Sequence, residues 1–212
     1  GGSMALDKQE FFGPVVKSSD KGYTLDFVYV DKDGSNGFPG DLEVQVSYAI
    51  SGKDKAAEIE VQYQAKLLTG SETPINLTNH SYWNISGQKT IDGTKVKLGS
   101  HNALKVDSDL IPTNEIEVKK VDELEVLDNC FVLTEKLPLD TRNLPLIQAC
   151  EACHENSSVT MKVLTTEPSF QVYTGDYMGY EGKYGLILSV NFIGPGILDY
   201  ISLVRILGFS VQ

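Results

Sequence analysis

The stretch DLEVQVSYAI, residues 41–50, alternates between polar and apolar side chains up to Tyr48 and ends in Ala49-Ile50. Because side chains on a β-strand point alternately to opposite faces, this pattern predicts a strand with one buried face. The stretch EIEVQYQAKL, residues 58–67, repeats the alternation, and the intervening SGKDKA is turn-forming. The two stretches therefore predict a hairpin with a longer loop. The residues expected to face the core in the first of them are Leu42, Val44, Val46, Tyr48 and Ile50.

Further strand-like runs lie on both sides of this hairpin. Residues 23–30, 159–166 and 170–175 predict three more strands, while helical periodicity is scarce before residue 185. Many short strands separated by turn signals are typical of an antiparallel sandwich or barrel. The fold class expected from the pattern is therefore all-β.

Composition restricts the classes of partner. The chain has 212 residues, 41% of them apolar, and a formal net charge of −11. This length suits one sizeable core or two small ones. A surface this acidic would repel a phosphate backbone or an anionic bilayer, so neither a nucleic acid nor a membrane is the expected partner. A neutral small molecule remains compatible.

The two ends of the chain differ from its middle. Gly1 to Ser3 precede Met4 and are interpreted as a remnant of cloning, so the domain is expected over residues 4–184. The chain shows no signal peptide and has three cysteines, an odd number that suits a reducing compartment, so a cytoplasmic location is expected. Residues 185–212 form an apolar tail, which a transmembrane helix could explain. Gly194-Pro195-Gly196 divides the tail into pieces that are too short to span a bilayer. A buried pair of strands, or a strand and a short helix, is therefore favoured.

The stretch CEACH, residues 150–154, matches the attachment motif of c-type haem. Attachment of that haem requires an exported chain, and no export signal is found. HENSS, residues 154–158, which begins at the histidine of the motif, is typical of a hairpin turn. The favoured interpretation is a strand that ends in a turn, with Cys150 and Cys153 on opposite faces.

The stretch TPINLTNHSYWNISG, residues 73–87, carries more hydrogen-bonding side chains than a core strand needs. A lone histidine such as His80 is more often structural than catalytic in a strand. Buried polar groups need partners, however, and a polyhydroxylated ligand would supply them. Tyr82 or Trp83 could stack on the apolar face of a sugar ring.

Several blocks resemble the galactose mutarotase, or aldose 1-epimerase, family in order and spacing. They cover about Phe11 to Gly185, and PINLTNHSYWNISG is similar to the family signature. The resemblance implies a large, twisted antiparallel β-sandwich that interconverts α and β anomers of free aldohexoses such as galactose and glucose. It also implies that no metal or organic cofactor takes part. The other matching blocks are GFPGDLEVQVSY (37–48), IPTNEI (111–116), LDNCFVL (127–133) and TTEPSFQVYTGDY (165–177).

The same resemblance implies roles for three side chains. His80 corresponds to the general acid that protonates the ring oxygen, a role that suits imidazole because its ordinary pKa lies near neutral pH. Asp128 corresponds to an aspartate that binds sugar hydroxyls, and Tyr82 to a tyrosine near the ring.

Two family features are not found in this sequence. No glutamate follows Glu181, where the family places its general base, and the N-terminal arginine and second histidine of the family have no counterpart. His101 and His154 lie outside the family's site motifs. The alternatives are an impaired sugar-binding or interaction protein on the same scaffold, or a truncated family member. Missing strands would leave open sheet edges, which, like the apolar tail, would invite self-association.

Overall fold

The computed structural model describes residues 3–20, 22–53, 56–121, 126–134, 141, 144–175, 186–191 and 199–208. Fourteen strands occur in these ranges, with short 3-10 turns at Leu6–Lys8 and Ser35–Gly37. In chain order the strands are β1 (Phe12–Ser19), β2 (Gly22–Asp31), β3 (Leu42–Lys53), β4 (Ala56–Leu67), β5 (Tyr82–Trp83), β6 (Thr94–Leu98), β7 (Asn102–Val106), β8 (Pro112–Val118), β9 (Asp128–Val132), β10 (Ile147–His154), β11 (Val159–Thr165), β12 (Ser169–Tyr173), β13 (Leu186–Asn191) and β14 (Asp199–Gly208).

The strands form two antiparallel sheets. The first sheet has the order β1-β2-β3-β4-β14-β11-β10-β6, and the second has the order β5-β13-β12-β9-β7-β8. One core joins them, because it contains Val44, Val61 and Val163 from the first sheet together with Phe131 and Phe170 from the second. The predicted antiparallel β-sandwich is therefore confirmed.

The hairpin of β3 and β4 follows the alternation read from its sequence up to Tyr48, whereas Ile50, which was expected to face the core, is 43% exposed near the end of the hairpin. Val44, Val61 and Ala65 are no more than 2% exposed, whereas Gln64 and Lys66, between the apolar positions of β4, are exposed. The prediction of a longer loop between the two strands is wrong, because the pairing of β3 with β4 continues to Lys53 opposite Ala56. Small residues such as Gly52 favour turns, but they do not prevent a strand when the flanking residues hold the register.

The apolar tail contributes two strands, as favoured over a transmembrane helix. β13 pairs with β12 in the second sheet, and β14 lies between β4 and β11 in the first. Among the described residues, no helix has the length and apolar content needed to cross a bilayer.

The CEACH stretch ends β10, as expected, and a turn at residues 155–158 follows it. Cys150 is fully buried and Cys153 half-buried, and their odd separation along the strand places them on opposite faces. Burial raises the pKa of the Cys150 thiol to about 12. His154 is buried, and its Nε2 lies 3.0 Å from the carbonyl oxygen of Asp92. Because a carbonyl only accepts, Nε2 carries the proton, and the ring serves the packing of the first sheet.

Candidate functional site

The segment that leads into β5 alternates in burial. Thr73, Ile75 and Leu77 are buried, whereas Asn76, Thr78, His80 and Tyr82 are exposed. The buried residues therefore fasten the segment to the core and leave the intervening side chains in solvent. His80 belongs to the solvent-facing set and is not enclosed by packed side chains.

The rings of His80 and Tyr82 lie next to each other. Their centroids are 5.4 Å apart with an interplanar angle of 42°, and 48% of Tyr82 is exposed. Tyr82 begins β5, so the edge of the second sheet fixes the position of the histidine two residues before it. An imidazole and a phenol are thus presented together at the surface.

Much of the hydrogen-bonding capacity around His80 serves the chain itself. Asn79 Oδ1 accepts the backbone N–H of Ser81 at 2.8 Å, and Asn84 Oδ1 accepts that of Ser86 at 3.0 Å. The Asn84 amide also donates to the carbonyl oxygen of Gln88 at 2.9 Å. These are turn-forming contacts of asparagine, so these two amides shape the loop on either side of Tyr82. From the sequence alone, side chains of this stretch were expected to form hydrogen bonds with a ligand instead.

A row of paired positions crosses the second sheet from Tyr82 to Asp128. Tyr82 pairs with Ile187 of β13, Ile187 with Tyr173 of β12, and Tyr173 with Asp128 of β9. Directly paired residues share one face of a sheet. This site face is opposite the core face, where Phe131 and Phe170 stack with their centroids 5.7 Å apart. Three strand spacings separate the backbones of Tyr82 and Asp128, about 14 Å.

Asp128 has a partner on this face that the sequence reading missed. Gln171 Nε2 donates to Asp128 Oδ1 at 2.7 Å. Gln171 lies between the fully buried Phe170 and Val172, so the period-2 pattern of FQVYTG already placed its side chain opposite the core. Only the pairing of β12 with β9, which links residues about forty positions apart, brings it to the aspartate.

The other two histidines lie elsewhere. His101 precedes β7, is exposed, and has its Nδ1 3.2 Å from the carbonyl oxygen of Lys119, while His154 is buried in the first sheet. His80 is therefore the histidine beside the row that ends at Asp128. Among the described residues, no group of three or more His, Cys, Asp or Glu side chains is placed to hold a metal ion.

A cavity of about 360 Å³ lies at the start of the same segment. Its walls include Asp31, Phe38, Ile75 and Asn76, and they do not include His80, Tyr82 or Asp128. The geometry around His80 therefore forms an open face rather than the interior of this cavity.

Solved structures first define the class of protein. A GalM/aldose epimerase homologue from C. elegans superposes with a TM-score of 0.77, covering 100% of this chain and 72% of the other at 17% identity. Galactose 1-epimerase from Lactobacillus acidophilus gives a TM-score of 0.78, covering 99% and 69% at 16% identity. The fold is thus that of the galactose mutarotase-like β-sandwiches.

Sequence comparison then gives the family. The sequence pattern of the family described as Aldose 1-epimerase matches residues 7–192. The bifunctional protein gal10 of Schizosaccharomyces pombe is 42% identical over 192 residues, and galactose mutarotase of Sus scrofa is 32% identical over 209. The chain belongs to the aldose 1-epimerase family.

The chain is shorter than these relatives. The matched region is 83% of this chain and 26% of the gal10 protein, and 88% of this chain and 56% of the pig mutarotase. It therefore spans about half the length of the mutarotase and about a quarter of the bifunctional protein.

Proposed function

We propose that this chain is an aldose 1-epimerase that interconverts the α and β anomers of free aldohexoses such as galactose and glucose. The observation that carries the proposal is the solvent-facing imidazole of His80 beside Tyr82, at one end of the row that reaches Asp128. Family membership supports the reaction class. A small neutral sugar also agrees with the acidic surface.

In this mechanism the pyranose lies across the site face. The carboxylate of Asp128, oriented by the amide of Gln171, accepts hydrogen bonds from sugar hydroxyls. His80 donates a proton to the ring oxygen as the bond between that oxygen and the anomeric carbon breaks. The free aldehyde then rotates and the ring closes on its other face, returning the proton to His80.

Ring opening also needs a base that takes the proton from the anomeric hydroxyl. Within β5, β9 and β12, Asp128 is the one described carboxylate on the site face, and Gln171 already contacts it. No glutamate follows Glu181. If water serves as the base, turnover is expected to fall about 10²- to 10⁴-fold below that of an enzyme with a positioned base.

The absence of that glutamate from the sequence favours a second candidate, a protein that binds aldohexoses without turning them over. The same residues would hold the sugar, and His80 would only donate a hydrogen bond. The two candidates differ in rate and agree in binding.

Polarimetry of freshly dissolved α-galactose separates these candidates. The enzyme hypothesis predicts a rate above that of buffer, lost in His80→Ala and kept in His101→Ala, the matched exposed histidine. A rate equal to buffer together with calorimetric binding of galactose supports the second candidate. If the protein neither raises the rate above that of buffer nor binds galactose, both candidates are contradicted.

A further inference from the structure

Tyr173 occupies a position on the site face to which neither the family resemblance nor the proposed mechanism assigns a role. It ends β12 and is half-buried, whereas Val172, directly before it in the strand, faces the core and is fully buried. Because successive strand residues point to opposite faces, the Tyr173 side chain lies on the same face as that of Gln171.

The register places Tyr173 between the two ends of the site. It is paired directly with Asp128 on one side and with position 187 on the other, and position 187 is paired with Tyr82. The backbone of Tyr173 is thus about 5 Å from that of Asp128 and about 10 Å from that of Tyr82. A hexose held by His80 and Asp128 together must cross this position.

We propose that Tyr173 is the aromatic platform on which the pyranose ring rests, an inference that depends on the proposed function. One face of a pyranose presents mainly C–H groups, and an aromatic ring offers a large apolar surface with little loss of side-chain freedom. Asp128 and Gln171 then bind hydroxyls at the rim of the ring while Tyr173 supports its face. This contact does not involve the anomeric centre, so Tyr173 contributes to binding and positioning and transfers no proton.

The test uses a pyranose that cannot open, 1,5-anhydrogalactitol, as a probe of binding alone in the full chain. Tyr173→Leu is expected to weaken its calorimetric Kd by about three- to tenfold, the range of an aromatic contact. Tyr173→Phe and Tyr173→Trp, which keep an aromatic face, are expected to stay within about twofold of the wild type. Tyr23→Leu, at a tyrosine that is 61% exposed on the first sheet, is the matched control and should change nothing.

A second measurement needs no variant that could fail to fold. In the wild-type protein, nuclear Overhauser contacts are expected between the Tyr173 ring protons and the ring protons of the bound anhydro sugar. If the wild type binds the sugar but shows no such contacts, or if folded Tyr173→Leu binds it as the wild type does, the platform role is overturned while the proposed function stands. If the wild type binds no hexose and no anhydro sugar, the proposed function fails, and the platform role fails with it.

Discussion

The hairpin of β3 and β4 and the segment of residues 73–83 alternate in the same way and present different chemistry to solvent. On the hairpin, Glu43 lies opposite Lys66 and Gln45 opposite Gln64, pairings that stabilise a sheet surface. On the segment, the outward positions hold Asn76, Thr78, His80 and Tyr82. Period-2 alternation therefore predicts which side chains point away from the core. Whether these side chains form an ordinary sheet surface or a candidate site depends on their chemical type.

The largest effect expected from this comparison is on stability, at an inward position of the segment. Ile75 is 4% exposed and belongs to the common core. Ile75→Ala should lower the free energy of unfolding by about 2–5 kcal/mol through lost burial and an unfilled cavity. Denaturant titration of the variant measures this. Asn76→Ala, at the next, exposed position, should stay within about 0.5 kcal/mol of the wild type, and a similar loss in both variants would contradict the alternation.

A smaller effect distinguishes two glutamines on the two sheets. Gln171→Ala removes the 2.7 Å hydrogen bond to Asp128 and should raise the KM for galactose about tenfold, the scale of a hydrogen bond to a charged group. Gln64→Ala on the outward side of the hairpin is the control and should leave KM unchanged. Equal KM values for both variants would mean that Asp128 does not depend on Gln171 to bind sugar.

The turn that follows Tyr82 gives an effect of about 1 kcal/mol. Asn84→Ala removes both the acceptor of the Ser86 N–H and the donor to Gln88, and should lower stability by about that amount. Asn84→Asp keeps the acceptor and should lose less. Thermal unfolding of the two variants measures the difference, and an alanine variant as stable as the aspartate variant would rule out a turn-forming role.

The smallest effect lies on the first sheet and depends on pH. Lys17 Nζ is 2.7 Å from Asp26 Oδ2. This contact is the main cause that lowers the pKa of Asp26 below 3.8, and a hydrogen bond with Ser47 is the second cause. The contribution of Asp26 to stability is therefore fully present above pH 3.8 and is lost as pH falls through the folded pKa.

Because the Lys17 side chain is largely exposed, Lys17→Met should cost less than about 1 kcal/mol at pH 7. Urea titrations of the variant and the wild type should converge as the pH is lowered below the folded pKa of Asp26. A difference that grows towards acid pH would contradict the assigned sign.

The alternating stretches were enough to predict an antiparallel all-β fold, because burial on one face determines the strands β2, β3, β4, β11 and β12. The choice of a sandwich over a barrel came from the family resemblance. The alternating stretches could not predict where pairing between β3 and β4 ends, since Ser51 and Gly52 suit a turn as well as a ladder. His80, Asp128 and Tyr82 came from motif resemblance. Gln171 and Tyr173 lie in a matching block, but the resemblance gave them no role, because what brings them to Asp128 is the register between β9 and β12, which no local pattern encodes.

The central claim is that His80 faces a bound hexose. The chain has three histidines, so their Cε1 proton signals can be followed individually by NMR during a galactose titration. The His80 signal, which is identified by its absence from the spectrum of the His80→Gln variant, is predicted to shift saturably. The signals of His101 and His154 are predicted to remain fixed. A His80 signal that stays in place while calorimetry shows the sugar bound to saturation would contradict the claim.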